Sequence, residues 1–135
     1  MDIATLRNIT AFAPVLADPA FVAGEWTKPE RSAEGVITMA WLRLSDPASA
    51  SAFVAVIATE DVAAPYHRPV TDAARATLLR LTQDPSAITD ATADQIGWVL
   101  TYLLRADRFV EGSLGHAFDT GLMLAIARRA AVLTQ

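Results

Sequence analysis

Residues 92–106 read TADQIGWVLTYLLRA, and they decide the fold class. Thr92 and Gln95 stand three apart, the spacing of a capping box in which each side chain accepts from the other's backbone N–H. Ile96, Val99, Leu100, Leu103 and Leu104 then follow at i, i+3, i+4, i+7 and i+8. That spacing puts all five on one face of an α-helix. A half-buried strand would place apolar residues at every second position, and this stretch does not. The pattern predicts a helix with a defined start and one buried stripe.

The same period recurs outward from this segment. Ile3, Leu6, Ile9, Phe12, Ala13 and Leu16 predict a first helix, closed by Asp18-Pro19 because a residue before proline avoids the α region. Residues 20–35 carry Gly24, Pro29, Gly35 and much of the local charge, and they read as a loop. VITMAWLRL, 36–44, permits one short extended segment, although no second strand is evident to pair with it. In SDPASASAFVAVIATED, Ser45 or Asp46 is placed to cap a second helix and Pro47 suits its first turn. Ala50, Phe53, Val54 and Ile57 line its face. VAAPYHRPV, with two prolines in five residues, reads as a linker. Thr71 or Asp72 opens a third helix with Ala74, Leu78 and Leu81 on one side, and Asp84-Pro85 ends it. Ser113 opens a last helix to about Leu133, whose apolar middle predicts the most enclosed element. The expectation is a single all-α domain over 1–135, a compact bundle of about five helices.

Composition agrees. A chain of 135 residues encloses one core and is too short for two. Hydrophobic residues make up 53% and mean hydropathy is +0.30, but 27 alanines inflate both, and alanine is the best helix former. With no cysteine, disulfides, thiolate metal sites and cysteine nucleophiles are excluded. The N-terminus lacks a basic, apolar leader pattern, and LMLAIA is far shorter than the roughly 20 residues of a membrane span, so a cytoplasmic protein without membrane contact is expected. The net charge of −4 falls on residues 1–67, with four basic and eight acidic side chains; residues 68–135 hold seven of each. This balance disfavours broad contact with a nucleic-acid backbone and leaves room for a local arginine patch.

RADRFVEG, 105–112, is the stretch most suggestive of a site. As a joint, Arg105 would face the negative end of the fourth helix, Phe109 would plug the gap to the fifth, Gly112 would make the turn, and Glu111 would sit near the next N-terminus. As a site, Arg105, Arg108, His116 and Arg128 would converge on an anion. A third possibility is an arginine–acid network through Asp107, Glu111 or Asp119.

The segment LLRADRFVEGSLGHAFDTGLMLAIARR resembles the C-terminal signature of an uncharacterised family of small, mostly helical bacterial and phage-borne proteins, with a pattern R-x-x-R-F-x-x-G-x-L, then a glycine and an aliphatic helix. Arg105, Arg108, Phe109, Gly112, Leu114 and Gly121 match it. SDPASASAFVAVI and the later APY are weakly similar to the family's middle section. The resemblance covers about half the chain, most specifically its last forty residues, and implies a small helical fold with no established activity.

Other chemistry finds little support. His67 and His116 are the only histidines, with no metal-ligand spacing, so no metal or cofactor is expected. His116 and Asp119 with Ser113 or Thr120 could form a hydrolytic triad, but no nucleophile turn accompanies them. No phosphate-loop or dinucleotide fingerprint occurs, and Gly115 and Gly121 read as points of close helix approach. Trp98 and Tyr102, i and i+4 on a face offset from the buried stripe, either widen that stripe or contact a partner; Tyr66 and Trp26 are further contact candidates in loops. The expectation is therefore a non-catalytic helical module acting through protein contacts, with a homodimer through the last helix as one form. A regulator or inhibitor of a bacterial defence complex, acting by its acidic face, is a role suggested by the family's mobile-element setting. The alternative is an anion or nucleic-acid binder built on the arginines.

Overall fold

Helix α1 (Ile3–Thr10) begins where the Asp2 carboxylate accepts a 2.8 Å hydrogen bond from the Thr5 N–H. The computed structural model describes residues 1–26, 31–36, 42–44, 49–63, 68–109 and 113–135. The single helix expected through Leu16 divides in two. Pro14 cannot donate to the Thr10 carbonyl, and its ring would collide with it. The chain turns at Ala11 and Phe12 and restarts as α2 (Ala13–Ala17), with Pro14 in the first turn. Asp18 is extended at ψ 126, as its following proline requires.

The expected loop over 20–35 contains a strand. β1 (Gly24–Trp26) pairs antiparallel with β2 (Leu42–Leu44), Gly24 opposite Leu44 and Trp26 opposite Leu42. This is the partner that the 36–44 segment lacked in the sequence. Three-residue strands are too short to show a period, and only the long-range pairing reveals them. The molecule is otherwise mostly helical.

Helix α3 (Ser49–Ile57) buries Ala50, Phe53 and Ile57 fully, and the single turn α4 (Glu60–Ala63) buries Val62. The caps expected at Ser45, Asp46 and Pro47 lie outside the described residues. Thr71 opens α5 (Asp72–Gln83) by accepting from the Ala74 N–H at 3.0 Å. Asp84 ends α5 and caps the 3₁₀ helix Pro85–Asp90, accepting from the Ser86 N–H at 3.0 Å and the Ser86 hydroxyl at 2.7 Å. Helix α6 (Ala93–Phe109) begins at the expected capping box. The Thr92 N–H donates to Gln95 at 3.0 Å, and the Gln95 N–H donates to Thr92 at 3.1 Å.

The last helix also divides, into α7 (Ser113–Asp119) and α8 (Leu122–Leu133). Gly121 stands between them at φ 83, a left-handed conformation that costs other residues energy. A side chain there would meet nothing within 4 Å, so the glycine serves the turn, not the close helix approach expected of it.

Helix α8 packs on α1, α2, α6, α7 and the 3₁₀ helix, and α6 packs on α4, α5, α7 and α8. Ile96, Val99 and Leu100 are wholly buried and Leu103 nearly so; burying a side chain of this size contributes about 1.5–3 kcal/mol. Phe53 lies between Phe12 and Phe118 in edge-to-face contacts, with centroids 5.3 and 5.8 Å away. On α8, Leu122, Met123, Ile126, Ala127 and Ala130 are buried, yet Val132 is 53% exposed. The helix expected to be enclosed nearly all round thus has an open side. Thr101 staples α4 to α6 by donating its hydroxyl proton to the Val62 carbonyl.

Candidate functional site

A hydrogen bond links α6 to α7. Asp107 Oδ1 accepts from the Leu114 N–H at 3.2 Å, so a carboxylate in the last turn of α6 satisfies a donor in the first turn of α7. Sequence reasoning gave this place to Glu111. Glu111 and Gly112 lie outside the described residues, as do the side chains of Arg108 and Phe109.

Arg105 belongs to a different feature. With Trp98, Thr101 and Tyr102 it forms a stripe at i, i+3, i+4 and i+7 along α6, beside the buried stripe. Opposite stand Leu78 and Arg75 of α5, and Arg68 and Pro69 from the segment leading into it. Together they line an open groove of about 390 Å³. Trp98 is half-buried there, and Tyr102 is 46% exposed. Aromatic and arginine side chains on an otherwise apolar wall suit an acidic ligand: the rings supply area and the guanidinium groups pair with carboxylates or phosphates.

Among the described residues, the groove's arginines find one carboxylate partner. Arg75 pairs with Asp72 through Nη1 at 3.3 Å, but both side chains are well exposed, and such a local pair is worth little. The other ion pair among the described residues joins the Met1 amino group to Asp94 at 3.5 Å, so no described carboxylate lies within 4 Å of Arg68 or Arg105.

The remaining candidates are dispersed. Arg128 lines a separate groove between α8 and the 3₁₀ helix, so it and Arg105 do not meet. His116 is exposed on α7 and lines neither groove. Tyr66 lies outside the described residues, and of Trp26 only its place in β1 is described. Among the described residues no group of three or more histidine, aspartate or glutamate side chains could hold a metal ion, and no helix is long and apolar enough to cross a membrane.

Two aspartates show how the local turns set electrostatics. The Thr5 amide and hydroxyl hold the Asp2 carboxyl below its ordinary range, and the Ser86 hydroxyl and amide do the same for Asp84. Both are helix caps, and neither lines the arginine groove. Arg68 and Arg75 are the groove residues that sequence reasoning missed. The α6 stripe was legible in its spacing, but nothing local says that α5 lies against it.

A model of a family of unknown function matches residues 1–135. The match runs the full length of the chain, where the resemblance noted in the sequence covered about half. No curated protein and no solved structure matches.

Proposed function

The chain belongs to DUF6508, a family of unknown function, and from its α5–α6 groove we propose a non-catalytic interaction module that binds an acidic segment of a partner protein. The observation that carries this is the meeting of Trp98, Tyr102 and Arg105 with Arg68 and Arg75 on one open groove. It joins in one place the aromatics that suit a protein contact and the arginine that suits an anion. A half-buried tryptophan, a partly exposed tyrosine and several arginines are the residue types that dominate binding energy at protein interfaces.

An acidic peptide fits better than a nucleic acid. A polynucleotide follows an extended basic surface, whereas this chain carries a net charge of −4 and lines the groove with three arginines, Arg68, Arg75 and Arg105. Regulation or inhibition of a larger complex, a bacterial defence complex among them, would follow from occupancy alone.

Isothermal titration calorimetry tests the proposal with a glutamate-rich decapeptide carrying one aromatic residue, and with a single-stranded oligonucleotide of equal charge. The peptide should bind, and Arg105→Ala or Tyr102→Ala should weaken it by about tenfold or more. Absence of peptide binding at millimolar concentration, or binding indifferent to both substitutions, refutes the proposal. Tighter binding of the oligonucleotide would move the groove to the nucleic-acid reading.

A further inference from the structure

Apart from the arginine–aromatic groove, a concavity of about 540 Å³ lies between α8 and the 3₁₀ helix. Leu124, Arg128 and Val132 line it at i, i+4 and i+8, so a guanidinium group stands between two aliphatic side chains on one stripe of α8. Arg129 lines it too. It is half-buried, and its Nε–H donates to the Ala91 carbonyl at 2.7 Å. That bond fixes the plane of the guanidinium and leaves its Nη groups to find other acceptors.

Neither arginine has a carboxylate within 4 Å among the described residues, where the ion pairs are Met1–Asp94 and Asp72–Arg75. A guanidinium drawn part-way out of water beside aliphatic groups gains from an anion more than an exposed one does. Of the hydroxyls on the opposite wall, Ser86 spends its proton on Asp84 at 2.7 Å. Thr89 is exposed and makes no hydrogen bond with the described residues, so its hydroxyl is available.

From this juxtaposition we propose a second ligand site, for a small organic oxyanion: a phosphate or carboxylate held by Arg128, Arg129 and Thr89, with its apolar group against Leu124 and Val132. The volume supports the organic part, since an inorganic ion would fill little of a space suited to a small molecule. This site shares no lining residue with the α5–α6 groove and stands independently of the function proposed above.

Heteronuclear NMR titration tests it with phenyl phosphate and benzoate, against inorganic phosphate and benzyl alcohol. At least one aryl anion should saturably shift the Arg129 Nε–Hε signal and the Thr89 and Leu124 amides, and the tighter of the two identifies the preferred head group. Arg128 is exposed and without a described partner, so Arg128→Ala should keep the native amide spectrum while weakening binding by about tenfold or more. Inorganic phosphate and benzyl alcohol should each bind at least about tenfold more weakly, lacking half of the contacts. The proposal is overturned by no saturable shift up to tens of millimolar, by equal response to benzyl alcohol or inorganic phosphate, or by indifference to Arg128→Ala.

Discussion

Replacing Thr101 by valine tests the packing of α6 at one atom. The Thr101 side chain is 2% exposed, and its hydroxyl donates to the carbonyl of Val62, itself wholly buried. Val62 sits in a four-residue helix, whose last carbonyls have no intrahelical donor. Valine has nearly the shape of threonine, so Thr101→Val opens no cavity and takes a donor away from one buried acceptor. That deficit costs about 1–3 kcal/mol. With an unfolding entropy of about 2.1 cal/mol/K per residue, a loss of about 2 kcal/mol lowers Tm by roughly 7 °C in a chain of this length. Thr101→Ser keeps the bond and loses a methyl, at a cost of about 1 kcal/mol. Urea unfolding and differential scanning calorimetry of both variants give the comparison. A Thr101→Val protein within about 0.3 kcal/mol of the parent, beside a measurably weakened Thr101→Ser, would show that the methyl and not the hydroxyl holds α4 to α6.

Three further perturbations address other joints. Thr92→Ala removes the side chain that caps Gln95 and should cost about 1 kcal/mol in urea unfolding, with Gln95→Ala not fully additive because both belong to one box. Gly121→Ala forces a left-handed conformation with no steric clash, so calorimetry should show about 1–2 kcal/mol of backbone strain, and Gly121→Asn should cost less. Asp2 and Asp84 titrate below their unfolded values, so their stabilisation is present above about pH 4 and is lost as pH falls through the lower folded value. The stability difference between the parent and Asp84→Ala, measured from pH 6 down to pH 2, should therefore shrink on acidification; a difference that grows would contradict the cap.

Sequence alone determined the features whose partners lie within a few residues of each other. The Thr92–Gln95 box, a helix start at Thr71 or Asp72 and the stops at Asp18-Pro19 and Asp84-Pro85 close over three or four residues, so residue type and spacing settle them before any tertiary contact forms, and the structure gives the cap to Thr71. The apolar period likewise fixed which face of α6 is buried. Pro14 stands inside the apolar period that predicted one helix through Leu16, and it splits that helix; Gly121 permits a turn without demanding one. Only the tertiary structure paired Gly24–Trp26 with Leu42–Leu44, capped α7 with Asp107, and sent Arg105 and Arg128 into different grooves. The two grooves depend on how α5 and α8 lie against their neighbours. Such placement comes from packing summed over many side chains, and no short run of residues encodes it.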